Sequence, residues 1–250
     1  MTNMLMVPQN LAPSIAGVRN RIARAAGRCG RNVDSVTLLA VSKTHSVDLI
    51  RGAAQEGIEH FGESYVQEAL PKIETLRGME LTWHFVGQLQ GNKTRAVAES
   101  FHWVHGVDRL RIALRLSEQR PFHAPPLNVC LQVNVGGEDT KGGVTPAELP
   151  ELAKAVAALP RIALRGLMCI PPPEDDPARQ REWFSQTARL LRSLHVPGTT
   201  LDTLSMGMSD SLEVAIEEGA TLVRVGTAIF GERPKHGATS PSAQHGPSDR

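Results

Sequence analysis

Short apolar runs alternate with amphipathic segments along most of the chain, a pattern typical of an α/β protein. The runs predict strands near residues 35–42, 58–62, 81–87, 101–107, 127–135, 162–170, 201–206 and 221–226. Eight strand–helix units in 250 residues favour a single (β/α)8 TIM barrel, since a doubly wound sheet normally has fewer strands. Such a sheet also often has a glycine-rich first turn, and no G-x-G-x-x-G follows the first predicted strand.

The two ends of the chain depart from this repeating pattern. From Leu11 to Gly30 apolar residues recur at helical spacing with arginines between them, so we predict an extra amphipathic helix before the barrel. The last stretch, 235–250, is rich in Gly, Ser, Pro and His without apolar periodicity, and we expect a disordered tail there. The predicted organisation is a barrel domain over 1–234 followed by that tail.

Composition narrows the class of partner. Lys and Arg number 27 against 26 Asp and Glu, a formal net charge of +1, so we expect neither a nucleic acid nor an anionic membrane as partner. Three separated cysteines without a Cys-x-x-Cys pair argue against a disulfide framework and a zinc site, and they favour a cytoplasmic location. The apolar N-terminal residues have no basic leader and are interrupted by prolines, so we expect no export signal and no membrane span.

Lys43 lies at the end of the apolar run that forms the first predicted strand. A lysine in the dry mouth of a barrel loses hydration of its ammonium form, which lowers its pKa and leaves a neutral amine able to attack an aldehyde. The alternative is a lysine that simply points into solvent after a strand. The polar residues at the other strand ends favour the first interpretation, because chemistry in barrels collects at the carboxyl ends of strands.

The segment after strand seven combines small hydroxyl residues with the start of a helix. Ser205 and Ser209 lie in this segment, and Asp210 with Glu213 three residues later has the spacing of a capping box. Free backbone amides at such a helix start bind phosphate, and loops seven and eight of barrels commonly do so. The alternative is that Ser209 and Asp210 only cap the helix.

Strand eight ends in Arg224, Val225, Gly226 and Thr227. Gly226 would let the backbone approach a ligand closely, and Thr227 offers a hydroxyl and an amide; alternatively Gly226 only relieves a turn. Arg224 stands among apolar residues, so we expect a buried guanidinium that needs a partner. That partner is either a carboxylate of a neighbouring strand or a ligand in the barrel mouth, such as a pyridine ring whose nitrogen the arginine keeps unprotonated.

The histidines give weaker signals. His102 and His105 are three apart on a predicted strand and would point to opposite faces, so a shared metal is not expected. His84 stands alone in an apolar strand. We interpret His102 and His105 as structural residues and His84 as a hydrogen-bonded core residue, and we predict no metal ligands and no catalytic residues in this chain.

Seven motifs together resemble one known family. They are Ala40-Val41-Ser42-Lys43-Thr44, Phe61-Gly62-Glu63, Trp83-His84-Phe85, Asn92-Lys93, Arg165-Gly166-Leu167-Met168, Leu204-Ser205-Met206-Gly207-Met208-Ser209 and Val223-Arg224-Val225-Gly226-Thr227-Ala228-Ile229-Phe230-Gly231. The likeness runs from about Leu11 to Arg233, in order and with nothing large inserted, and the last two motifs are highly specific. The chain resembles the YggS/PROSC family of pyridoxal phosphate (PLP) homeostasis proteins.

The resemblance implies a fold-type III PLP-binding barrel related to the N-terminal domain of alanine racemase. It implies pyridoxal 5'-phosphate as a Schiff base on Lys43, with Arg224 facing the pyridine nitrogen. The residues that would hold the phosphate are Ser205, Ser209, Gly226 and Thr227. Three positions depart from the family pattern, Ser64 in place of asparagine, Gln88 in place of proline and Gly91 in place of serine, and they concern the rim of the pocket.

Three functions are compatible with these residues. The first is a PLP carrier and homeostasis factor without established turnover, which acts as a monomer and hands PLP to apo-PLP enzymes. The second is a PLP-dependent racemase, disfavoured because the second base of alanine racemase is a tyrosine from another domain, whereas here the only tyrosine is Tyr65. The third is a class I aldolase, in which Lys43 forms an imine with a phosphorylated sugar and no cofactor.

Overall fold

Eight parallel strands close into a barrel in the order β1 to β8, with β8 paired to β1. The computed structural model describes residues 11–137, 142–172, 174 and 176–232. The strands are β1 Thr37–Val41, β2 His60–Glu63, β3 Thr82–Phe85, β4 Trp103–Val107, β5 Leu127–Gln132, β6 Ile162–Met168, β7 Thr203–Ser205 and β8 Leu222–Val225. Each overlaps one predicted strand, and the predicted (β/α)8 barrel is confirmed.

Helices connect successive strands, as a parallel barrel requires, and one further helix lies before the first strand and one after the last. They are α1 Leu11–Arg28, α2 Val47–Gln55, α3 Val66–Thr75, α4 Thr94–Ser100, α5 Leu110–Gln119, α6 Leu149–Ala157, α7 Pro177–Ser193, α8 Leu212–Glu217 and α9 Thr227–Phe230. The tail predicted over 235–250 lies outside the described residues. None of the helices described is long and apolar enough to cross a membrane.

The extra helix α1 packs against α8 and α9, next to the strand that closes the barrel. Ile15, Val18 and Ile22 form its buried face. Its arginines reach across to α8: Arg21 pairs with Glu213 at 2.6 Å, and Arg28 pairs with Glu217 at 2.7 Å. The arginines between the apolar positions of α1 therefore fix this helix to the last part of the barrel.

Strand residues alternate between two environments, the barrel interior and the layer beneath the helices. Phe61 and Phe85 belong to the layer beneath the helices, where Phe85 packs edge-on against Phe101 at 5.5 Å between ring centroids. The interior is more polar than this layer. His84, His105 and further polar side chains are fully buried there and hydrogen-bond to one another across the strands.

Gly166 marks the tightest approach between strands β6 and β7. The β5–β6 register shifts by one residue just before it, and a side chain at Gly166 would collide with the carbonyl oxygen of Thr203. Gly27 in helix α1 offers a comparison, because a side chain there would meet nothing within 4 Å.

We predict that Gly166→Ala lowers the free energy of unfolding by about 3 kcal/mol, since the added methyl group forces β6 and β7 apart. Gly27→Ala should instead raise it by about 0.5–1 kcal/mol, because alanine is the better helix former. Urea unfolding of both variants measures these values. Equal effects of the two substitutions would contradict the close approach at Gly166.

Candidate functional site

A cavity of about 240 Å³ opens at the carboxyl ends of the strands. Its lining residues are Val41, Lys43, Ser64, Val86, Ile170, Met208, Ser209, Asp210, Arg224, Gly226 and Thr227. Five of the six predicted site residues are thus brought together from loops one, seven and eight and from strand β8. The exception is Ser205, which does not line the cavity.

Lys43 is held in a tight turn directly after β1. The amide of His45 donates to the carbonyl of Ser42 at 3.1 Å and closes this turn. Thr44 has a φ of 67°, a left-handed conformation that β-branched residues rarely adopt. Its amide donates to the carboxylate of Glu68 on α3 at 2.9 Å, which supports the strained conformation. The turn ends the strand and places half-buried Lys43 at the cavity wall.

A buried ion pair contacts Ser42, the residue at the start of the Lys43 turn. Lys72 donates to the Glu63 carboxylate at 2.8 Å and to the carbonyl of Ser42 at 3.0 Å, and the Ser42 hydroxyl donates to the same carboxylate at 2.6 Å. Burial raises the pKa of Glu63, although Lys72 opposes the shift. Helix α3 thus fixes the residue that precedes Lys43.

Sequence reasoning missed this pair, although a signal for it exists. Val66, Ala69 and Lys72 recur at helical spacing and are all buried. A lysine on the buried face of a helix needs a buried acceptor, and Glu63 at the end of the preceding strand is near in sequence.

The opposite wall of the cavity is built from the β7–α8 loop and the first turn of α9. The Ser209 hydroxyl accepts from the amide of Ala228 at 3.4 Å and joins the two segments. A side chain at Gly226 would lie 3.2 Å from the carbonyl of Val41, so glycine allows α9 to begin close to β1. Thr227 is exposed at the cavity edge.

The predicted capping box at Asp210 and Glu213 is wrong. Helix α8 begins at Leu212 with Ser211 as its N-cap residue, and no side chain caps it. Glu213 is instead paired with Arg21, which also donates to the carbonyl of Ser209 at 2.7 Å. The contact lowers the pKa of Glu213. Arg21, which sequence reasoning treated only as a helix surface residue, therefore holds the cavity-lining loop from outside.

Arg224 is 6% exposed and reaches the cavity from β8. It donates to the carbonyl of Ser205 at 2.5 Å, to the Ser205 hydroxyl at 2.8 Å and to the carbonyl of Cys169 at 2.9 Å. No carboxylate of the described residues pairs with it, so the ion-pair alternative for Arg224 is wrong for this part of the chain. Burial lowers its pKa.

Ser205 is fully buried on β7, and its hydroxyl contacts His105 and Arg224. The phosphate contact predicted for Ser205 stays a prediction, and this geometry does not favour it. The predicted core position of His84 is confirmed by its complete burial; His105 is also fully buried, whereas His102 is exposed.

A second cavity of about 470 Å³ adjoins the first. The two share Lys43, Ser64, Val86 and Ile170 in their walls. The second cavity adds Tyr65, Gln88 and Lys93 from the loops after β2 and β3. Two of the positions that depart from the family pattern, Ser64 and Gln88, thus lie beside the space next to Lys43. In the described part of the chain no group of three His, Cys, Asp or Glu residues could hold a metal ion.

Comparison with known sequences gives consistent results. The family profile of the alanine racemase N-terminal domain matches residues 15–234. A pyridoxal phosphate homeostasis protein from Pseudomonas aeruginosa is 56% identical over 223 residues, which cover 89% of this chain and 96% of the relative. One from Escherichia coli is 52% identical over 227 residues, covering 90% of this chain and 97% of the relative.

Solved structures extend the likeness to three dimensions. PipY from Synechococcus elongatus with PLP bound superposes with a TM-score of 0.76 at 37% identity, covering 88% of this chain and all of PipY. Alanine racemase from Corynebacterium glutamicum gives 0.64 at 20% identity and covers 94% of this chain but 63% of the racemase. The second likeness concerns the fold alone.

We predict that Lys72→Met lowers the free energy of unfolding by about 3–5 kcal/mol at pH 8, because it leaves the Glu63 carboxylate buried without a cation. The loss should shrink as the pH falls, since the pKa of Glu63 is raised in the folded state and its protonation removes the buried charge. Urea unfolding at several pH values measures the trend.

The double variant Glu63→Gln with Lys72→Met is the matched control. It should be more stable than Lys72→Met at pH 8 and should lack most of the pH dependence. A pH-independent loss in Lys72→Met would count against an ionised Glu63.

Proposed function

Because this chain belongs to the family of pyridoxal phosphate homeostasis proteins, with the alanine racemase N-terminal barrel, we propose that it binds PLP on Lys43 and manages the cofactor inside the cell. In this proposal the protein holds PLP as a reversible Schiff base, limits its free concentration and releases it to apo-PLP enzymes. It works as a cytoplasmic monomer without established turnover.

The residues of the cavity fit the cofactor. PLP offers an aldehyde, a phosphate and a pyridine nitrogen, and the cavity brings together a group suited to each. Lys43 supplies an amine, Arg224 supplies a guanidinium without a carboxylate partner among the described residues, and the first turn of α9 supplies backbone amides beside Gly226. This convergence of an amine and a buried guanidinium in one cavity is the observation that carries the proposal.

Each residue has a distinct role in holding the cofactor. The Lys43 amine would hold the aldehyde carbon of PLP in a C=N bond, with water as the group that leaves. Ser209, Gly226 and Thr227 bind the phosphate. Arg224 would face the pyridine nitrogen and, as a cation, would keep that nitrogen unprotonated. When bound, the cofactor supplies a reactive aldehyde and an electron-accepting ring.

An unprotonated ring favours storage over turnover. The ring is a weaker electron sink when its nitrogen carries no proton, so carbanion chemistry at a bound amino acid is disfavoured. Arg224 therefore tunes the site toward reversible holding. The strained turn at Thr44 and the Lys72 contact fix the position of the Lys43 backbone without adding a second base.

The racemase alternative rests on Tyr65. This tyrosine is half exposed and lines the second cavity together with Lys43. Racemisation needs an acid or base on each face of the α-carbon, so Tyr65 is the residue that would have to act opposite the lysine. Exchange of the α-proton of L-alanine in deuterated buffer, lost in Tyr65→Phe, would favour the racemase over the carrier.

The aldolase alternative uses the same lysine and phosphate-binding loops but no cofactor. A visible absorption band after addition of PLP to the purified protein separates the two, because a sugar imine has no such chromophore. We expect that band in this protein.

We predict that Lys43→Ala removes the visible PLP band and the borohydride-reducible adduct while the fold stays intact, since the substitution lies at the barrel mouth. Absorbance, borohydride reduction and peptide mapping measure this, and circular dichroism monitors the fold. Lys93→Ala is the matched control, because Lys93 lines the adjoining cavity and should leave the adduct unchanged. A reducible adduct retained in Lys43→Ala would overturn the assignment.

We predict that Ser209→Ala weakens binding of PLP about tenfold, the usual effect of removing one hydrogen bond to a charged group. Binding of pyridoxal, which has no phosphate, should be unaffected. Equilibrium titration with both compounds gives the two affinities. Ser193→Ala on the exposed end of α7 serves as control, and an equal loss for pyridoxal would mean that Ser209 acts on the loop and not on the phosphate.

A further inference from the structure

A continuous line of buried hydrogen bonds leads away from Arg224 through the barrel interior. The Ser205 hydroxyl lies 2.7 Å from Nδ1 of His105, and Nε2 of His105 lies 2.9 Å from Nδ1 of His84. Nε2 of His84 in turn lies 2.9 Å from Nδ1 of His60. His60 on β2, His84 on β3, His105 on β4 and Ser205 on β7 are therefore linked to Arg224 on β8. We call this series of hydrogen bonds the hydrogen-bond chain.

The hydrogen-bond chain runs through the barrel interior from one end to the other. Arg224 lines the cavity next to Lys43 at the carboxyl ends of the strands. His60 and His84 line a separate cavity of about 390 Å³ at the other end. Other walls of that cavity are the first residues of strands, Thr37 and Trp103 among them. Half-buried His60 is the accessible end, whereas His84, His105 and Ser205 are fully buried.

The arginine fixes the direction of every hydrogen bond in the chain. A guanidinium only donates, so the Ser205 oxygen accepts from Arg224 and the Ser205 proton needs an acceptor. His105 Nδ1 is the acceptor that the described residues offer. A neutral His105 then carries its proton on Nε2 and donates to His84, which donates from its own Nε2 to His60.

The reverse direction leaves a defect. If His105 donated to Ser205, the serine oxygen would receive two donors and its own buried proton would find no acceptor among the described residues. Burial keeps the imidazoles neutral, since it lowers the pKa of His84 and lowers that of His105 to about 3, with the charge of Arg224 adding to the effect on His105.

We propose that Ser205, His105, His84 and His60 form a polarised hydrogen-bond chain that positions Arg224 toward the cavity next to Lys43. Because the Ser205 hydroxyl donates its proton to His105, its oxygen faces Arg224 as an acceptor, and the Nη1 atom of Arg224 is held by both the carbonyl and the hydroxyl of one residue. The guanidinium has more N–H donors than its three observed bonds use, and the remaining ones are available to a ligand. Ser205 and the histidines are positioning residues, and their effect on PLP rests on the proposed function.

The first test uses the protein without cofactor. In uniformly ¹⁵N-labelled protein, long-range ¹H–¹⁵N spectra report the tautomer of each imidazole, and single His→Gln variants assign the signals among the nine histidines. We expect the Nε2–H tautomer for His60, His84 and His105. A proton on Nδ1 of His84 or His105 would contradict the proposed hydrogen-bond chain, whether or not PLP binds.

The second test asks whether the chain holds Arg224. We expect Ser205→Ala to shift or broaden beyond detection the Nε–H signal of Arg224 in the same protein, and Ser205→Thr, which keeps the hydroxyl, to restore it. Ser117→Ala is the matched control, because Ser117 is also buried and, among the described residues, its hydroxyl bonds only to the carbonyl of Pro160. An Arg224 signal unchanged in Ser205→Ala, or changed equally in Ser117→Ala, would overturn the positioning role.

The third test applies to protein loaded with PLP. We expect Ser205→Ala to move the visible absorption maximum and to weaken PLP binding about tenfold, again with rescue by Ser205→Thr and no change in Ser117→Ala. If the unaltered protein shows no PLP band, the proposed function is wrong. The first two tests still show whether the hydrogen-bond chain exists and whether it positions Arg224. A band unaffected by Ser205→Ala would overturn the link from the chain to the cofactor.

Discussion

Closure of the barrel between β1 and β8 is the constraint on which the site depends. The register pairs Leu39 with Arg224 and Ala40 with Val225, so the ends of the first and last strands lie side by side. Lys43 and Gly226, distant in sequence, then share one cavity. A register slip of one residue would turn Arg224 from the interior to the helix layer, because side chains alternate with a period of two. Helix α1 secures this seam by packing on α8 and α9.

The two layers of the barrel contain different kinds of side chain. The layer between strands and helices is apolar and supplies most of the hydrophobic stabilisation. The interior instead contains Arg224, Ser205 and the buried histidines, which cost free energy to desolvate and are retained only because each is hydrogen-bonded. Such a polar interior gives a defined direction to the hydrogen bonds that reach the mouth. The buried histidines of these apolar strands are therefore core residues that also form hydrogen bonds to one another and to Ser205.

Two parts of the barrel mouth differ. The part around Lys43 and Ser209 is held by contacts from outside the cavity, whereas the part next to it is more exposed. Lys43 and Ser209 are both fixed from outside the cavity, the first by Lys72 and Glu68 through its turn and the second by Arg21. The adjoining cavity is lined in part by exposed residues after β2 and β3, such as Tyr65, Gln67 and Gln88. The proposed carrier role uses this combination, because a covalent bond to PLP would form at a fixed amine and would still be within reach of the groups that release the cofactor.

Local pattern was enough to predict the strands and the leading helix, and to single out Lys43, Ser209, Gly226 and Thr227, which line one cavity in the structure. Apolar runs and their spacing depend on short-range periodicity, and the lysine and glycine motifs stand at strand ends that this periodicity defines. The contacts of Ser205, Lys72, Arg21 and the histidines were decided only by the tertiary structure. Ser205 and His105 are 100 residues apart, and Arg21 and Glu213 are 192 apart. Their meeting depends on strand register and helix packing, which the chain sets only when the barrel closes.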